Sequence, residues 1–200
     1  MAIAQIKITV EHREILLKKR PDSLYEISPK GTVPVLYIDK NNILEESFDI
    51  MLWAINYLNC DWLDIKKKKQ IEMIKTNDNE FKYWLDRYKY FDRYPENDKM
   101  FYQKKCHMFL NQFNLLLENN RYFFGNKIQL IDVALFPFIR QCAHVDFDWF
   151  NKSFKSLTIW LDMFKKSNLF LSVMDKYEIW DQNQKGHIIK YLNNYYLKKD

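Results

Sequence analysis

The stretch ISPKGTVPVLYIDKNNILEESFDIMLWAI, Ile27 to Ile55, decides the fold. Pro34 stands in front of Val35, Leu36, Tyr37 and Ile38, which otherwise read as a buried strand. Proline donates no backbone hydrogen bond, so within a sheet it is confined to a strand start, an edge or a bulge, or it marks a cis turn. Val35 to Asp39 then reads as a strand, Lys40-Asn41-Asn42 as a tight turn and Ile43-Leu44 as a second antiparallel strand, which makes the segment a hairpin. From Glu46 to Leu58, Ile50, Met51, Trp53, Ala54, Tyr57 and Leu58 share a broad apolar face. Acidic residues in the first turn suit the positive end of a helix dipole, so this segment is predicted to be a helix.

Upstream, Ile6, Ile8, Val10 and His12 alternate with Lys7, Thr9 and Glu11, the period-two pattern of a half-buried strand. A short helix is predicted from Pro21 to Ile27, ended by Ser28-Pro29-Lys30-Gly31. Downstream of Asp61 the signals are purely helical, so the boundary falls near NCDWLDIKKKK and divides the chain into 1–60 and 61–200. Helices are predicted at about 64–76, 80–90, 98–118, 130–144 and 156–175, with a tail near 187–197; in 98–118, Tyr102, Cys106, Phe109, Phe113 and Leu116 step by four and three. The fold class is α+β, a small N-terminal domain followed by an all-α bundle.

Composition agrees. Aromatic residues make up 17% of the chain while it holds only three Gly and five Pro, which argues for long helices over a turn-rich β-protein. The net charge of +5 comes from interspersed charges of both signs, so no dedicated nucleic-acid surface is expected; Lys66 to Lys69 reads as a solvated helix face. No run approaches the roughly 18 apolar residues of a membrane span and no export signal is evident, so a cytoplasmic protein without a membrane partner is expected. Cys60, Cys106 and Cys142 are isolated and read as reduced core thiols, and the four histidines lack metal-ligand spacing, so no metal is expected.

A strand, a helix, a loop ending in Val-Pro, a hairpin, a helix opening on Glu-Ser and then an all-α half together resemble the glutathione transferase superfamily. The resemblance implies a thioredoxin-like N-terminal domain in which Pro34 is cis and turns the backbone of Val33 toward glutathione, the co-substrate. It also implies that Glu46 and Ser47 hold the γ-glutamyl end. A carboxylate accepts from an ammonium, while a hydroxyl and free N–H groups at a helix N-terminus receive a carboxylate. Glu46-Ser47 alone would read as a helix cap; thirteen residues after Val33, with a hairpin between, the binding reading gains. Lys30 resembles the basic residue that many members direct at the glycyl carboxylate, against an alternative as a solvated lysine. Tyr88 and Tyr90, in FKYWLDRYKYFDRYPE, resemble residues lining the electrophile side of the cleft, against an alternative as core or surface aromatics. In GNKIQLIDVALFPFIRQ, Asp132 matches a helix-capping element, but Gln129 stands where a Ser or Thr is usual, which should weaken that cap.

A thioredoxin-like domain needs roughly forty to fifty residues before its cis-proline, and only 33 precede Pro34. MAIAQI looks like the last turn of the first helix. The first strand and most of that helix, where the superfamily keeps its catalytic Ser, Tyr or Cys, have no counterpart, so no catalytic residue is assigned. Either the natural chain begins upstream of Met1, the favoured reading, or the gap is filled by rearrangement, a swapped segment or a partner. The implied function is a homodimeric glutathione transferase that conjugates or reduces a hydrophobic electrophile or a disulfide. The alternative is a non-catalytic regulatory or interaction module of the same fold.

Overall fold

The structure, a computed structural model, describes residues 1–191 and falls into two compact units. One comprises Met1–Cys60 together with the chain from Asn168 onward, the other Asp61–Ser167. The sequence reading runs the second domain over 61–200, whereas here the chain from Asn168 onward groups with the first unit. The helix predicted over 156–175 breaks near Ser167, whose hydroxyl donates to the Phe164 carbonyl at 2.6 Å. Beyond that point the chain returns to the first unit.

The first unit opens with α1 (Ala2–Gln5), closed by Ile6, which is 2% exposed. Because Ile6 is used there and Lys7 takes a φ of +56°, β1 covers only Thr9–His12, shorter than the alternation suggested. Next come α2 (Asp22–Ile27), β2 (Leu36–Asp39), β3 (Asn42–Leu44) and α3 (Ser47–Tyr57). β2 and β3 form the predicted hairpin, Leu36 opposite Leu44 and Tyr37 opposite Ile43. The Asp39 carboxylate shapes its turn by accepting from the Asn41 N–H at 2.8 Å and the Asn42 side-chain amide at 2.7 Å, and these bonds hold its carboxyl below the usual range. α3 buries Ile50, Ala54 and Ile55, a narrower stripe than predicted, and packs on α1.

After α10 (Asn168–Leu171), the chain runs to β4 (His187–Lys190), which pairs antiparallel with β1. Val10 lies opposite Ile189 and His12 opposite His187. The predicted helical tail over 187–197 is therefore a strand over 187–190, where two β-branched residues favour extended backbone; its last residues, from 192, lie outside the described ones. The preceding segment is clasped as well. The Trp180 N–H donates to the Glu14 carbonyl at 2.8 Å, the Gly186 N–H to Glu11 Oε1 at 3.0 Å, and the Arg13 guanidinium lies 4.5 Å from the Trp180 ring centre. One edge of β1 is thus met by a segment from the far end of the sequence.

The second unit holds α4 (Lys67–Thr76), a π-helical turn (Asn77–Phe81), α5 (Lys82–Lys89), α6 (Lys99–Leu117), α7 (Leu130–Val145), α8 (Phe147–Ser153) and α9 (Lys155–Lys165). Lys66 to Lys69 are exposed, the solvated face expected of them. α8 was not predicted; Asp146 starts it by accepting from the Trp149 N–H at 2.9 Å. α6 buries Tyr102, Cys106, Leu110, Phe113 and Leu117, so Phe109 and Leu116 give way to their C-terminal neighbours. Phe136 stacks on Phe164 at 4.3 Å and Phe123 meets Trp160 at 5.0 Å in the aromatic core.

The cap of α7 is stronger than Gln129 led us to expect. Asp132 is fully buried and accepts from the Phe123 N–H (3.1 Å), the Gln129 N–H (2.9 Å) and the Trp160 indole N–H (3.0 Å). The capping box is complete, the Gln129 side chain facing the Asp132 N–H as the Asp132 carboxylate faces the Gln129 N–H, and α4 adds a further acceptor. The side chain of buried Gln70 accepts from the Ile131 N–H at 3.1 Å and donates to the Trp62 and Ile65 carbonyls at 3.2 and 2.7 Å. A helix terminus needs acceptors for its first N–H groups, and they need not be local in sequence.

Candidate functional site

The loop from Ser28 to Pro34 carries three of the five proposed ligand contacts. Gly31 turns it with a φ of +60°, and its N–H donates to the Ser28 carbonyl at 2.8 Å. A methyl group added there would lie 2.3 Å from the Tyr25 ring. Gly31→Ala is therefore expected to cost about 1–2 kcal/mol from the left-handed backbone alone, because Cβ crowds the next carbonyl there; urea unfolding followed by far-UV dichroism checks it. The turn leaves Lys30 exposed and Val33 44% exposed, and the Val33–Pro34 peptide is cis. Among the described residues the Val33 N–H and C=O meet no hydrogen-bond partner.

The hairpin then brings the chain back beside this loop. Glu46 is the N-cap of α3, with extended backbone (φ −112°, ψ 136°), and its carbonyl accepts from the Ile50 N–H at 3.1 Å. No side chain caps this helix. Its first N–H groups, the positive end of the helix dipole, therefore lie beside two exposed side chains, Glu46 and Ser47. Lys30 Nζ lies 3.4 Å from Glu46 Oε1, with both side chains more than half exposed. An ion pair this exposed contributes little stability. Its significance is placement: cation, carboxylate, hydroxyl and helix terminus converge, the donor and acceptor set required by an amino-acid head group with a second carboxylate nearby.

Tyr88 and Tyr90 lie in the other unit. Tyr88 is buried against Trp149, with ring centres 5.8 Å apart, and its hydroxyl accepts from the Gln103 side-chain amide at 2.9 Å. Burial pushes this phenol up to about 12. It is a neutral core residue rather than a surface for an electrophile, the alternative that the sequence left open. Tyr90 is half-buried, with Lys89 and Arg93 over its ring at 4.8 and 4.3 Å. Among the described residues no cluster of His, Cys, Asp or Glu is arranged to hold a metal ion, and no helix is long and apolar enough to cross a membrane.

Comparison with known proteins matches these elements to one family. The description "Glutathione S-transferase, N-terminal domain" fits residues 1–57, and "Glutathione S-transferase, C-terminal domain" fits residues 79–169. The chain belongs to the glutathione transferase superfamily.

Solved transferases share its fold. A ternary complex of BphK, a bacterial GST, superposes with a TM-score of 0.71 at 18% identity, covering 86% of this chain and 88% of that one. A glutathione transferase family member from Pseudomonas fluorescens Pf-5, with two glutathione bound, gives 0.70 at 13% identity, over 85% and 83%. Poplar glutathione transferase F1 gives 0.63 at 18%, over 79% and 78%. At these identities the likeness speaks for the fold alone. No curated protein matches the chain. Lys30, Val33, Pro34, Glu46 and Ser47 all lie in the first unit.

Proposed function

We propose that this transferase-fold protein binds glutathione in its first unit and conjugates it to a hydrophobic electrophile, or uses it to reduce one or a disulfide. The observation that carries the reading is the meeting of Lys30, Glu46 and the uncapped start of α3. Glu46 exchanges Lys30 for the γ-glutamyl ammonium, Ser47 and the helix N–H groups receive the α-carboxylate, the released Lys30 swings to the glycyl carboxylate at the other end, and the exposed Val33 backbone pairs with the peptide as an added strand would. Glutathione is a co-substrate here, with no metal. The superfamily fold also supports a cytoplasmic homodimer.

A second reading is a non-catalytic module that senses glutathione. It is favoured by the roles given above, which assign the five residues to the ends and backbone of the tripeptide and none to its thiol. Turnover of an aryl halide with glutathione separates the two, since the module would bind without turning over. For binding itself, Glu46→Ala combined with Ser47→Ala is expected to abolish retention on immobilised glutathione at unchanged helicity. Removal of two charge-assisted interactions corresponds to roughly a hundredfold or more in affinity. Undiminished retention would refute the placement.

A further inference from the structure

We infer that Ser28 is a positioning residue of the glutathione site, holding its two halves at a fixed separation through Glu45; the inference rests on the glutathione reading above. Ser28 is completely buried and directs each of its polar groups to a different element. Its N–H donates to the Leu24 carbonyl at 2.8 Å, which closes α2. Its carbonyl accepts from the Gly31 N–H at 2.8 Å, which sets the turn that presents Lys30. Its hydroxyl crosses 17 positions of sequence and donates to Glu45 Oε1 at 2.5 Å.

Glu45 is the link between the last residue of β3 and the N-cap of α3. One short hydrogen bond therefore ties the loop of Lys30 and Val33 to the helix start of Glu46 and Ser47. A distance of 2.5 Å lies at the strong end for a hydroxyl donating to a carboxylate. The doubled acid in LEES then has divided roles. Glu45 turns inward as the anchor of the loop, while Glu46 stays exposed beside Lys30. Neither role is served by the neighbouring carboxylate, because adjacent residues at the end of a strand point to opposite sides.

The test is hydrogen exchange by mass spectrometry on the full chain, paired with glutathione titration, for wild type, Ser28→Ala, Glu45→Gln and the double variant. Ser28→Ala is expected to speed exchange of the Gly31 and Ile50 amides together, the two hydrogen-bonded amides of the tied segments, by roughly tenfold, with α6 and the β1–β4 pair unchanged. The double variant should be no worse than Ser28→Ala, as for two groups that share one bond. Glutathione affinity should fall by about tenfold in Ser28→Ala and by less in Glu45→Gln, which keeps an acceptor oxygen. Faster exchange in one segment only or in neither, additive effects in the double variant, or unaltered glutathione affinity would overturn the proposal. If Ser28→Ala does not fold, Glu45→Gln carries the same comparison from a half-buried position. Exchange reads the tether without ligand, so a wild type that fails to bind glutathione would refute the function while leaving the tether to be decided by exchange.

Discussion

Asp132→Ala is expected to destabilise the second unit by about 4 kcal/mol, since each buried donor left unsatisfied costs about 1–3 kcal/mol and three lose their acceptor. Those donors are the Phe123 and Gln129 backbone N–H groups and the Trp160 indole. They tie the loop before α7, the first turn of α7 and the middle of α9 to one carboxyl, so its loss loosens three segments at once. Asp132→Asn should cost less, because it retains one acceptor oxygen. The pH dependence separates burial from hydrogen bonding. Burial outweighs the three donors and raises this carboxyl from 3.8 to about 6. A group with a raised folded-state pKa stabilises most when protonated, so its contribution is full below about pH 4 and is lost as pH rises to about 6. Urea unfolding across that window should show wild type losing ground to Asp132→Asn as pH increases; the reverse slope would mean that the hydrogen bonds dominate.

Gly186→Val is expected to lift β4 from β1. A β-carbon at Gly186 would lie 2.6 Å from the His12 carbonyl oxygen, a backbone atom with little freedom to retreat. Overpacking of this kind costs about 1–3 kcal/mol. Here the effect should be concentrated in the first unit, with fast exchange of the amides of Thr9–His12 and a lowered unfolding midpoint, while the second unit holds its stability. Unchanged protection of β1 would show that the far end of the chain does not hold it.

How far these features could be read from the sequence depends on distance along the chain. The Val-Pro pair, the hairpin and the Glu-Ser helix start lie within 30 residues, where turn chemistry and strand alternation act locally, and each was legible. So was the frame of α6, apart from the slip from Phe109 to Leu110, because two adjacent apolar residues can fill the same buried row. Partners far apart were not legible. Gln70 supplies the acceptor for Ile131 from 61 positions away, and a polar residue inside a lysine-rich stretch carries no local sign of that role. The β1–β4 pair joins the two ends of the chain, and His-Ile-Ile-Lys is too short for its period to distinguish strand from helix. Tyr88 was ambiguous for another reason. Phe81, Tyr83, Trp84, Tyr88 and Tyr90 crowd α5 and its two ends, so composition could not say which of them faces inward.

The central claim is that Glu46, Ser47 and the start of α3 grip the γ-glutamyl end of glutathione. Calorimetric titration of the wild-type chain with glutathione, beside the dipeptide Cys-Gly that lacks this end, tests it most directly. The account predicts one saturable glutathione site per chain and binding of Cys-Gly weaker by roughly a hundredfold or more. Equal affinity for the two peptides, or no saturable binding of glutathione, would contradict it.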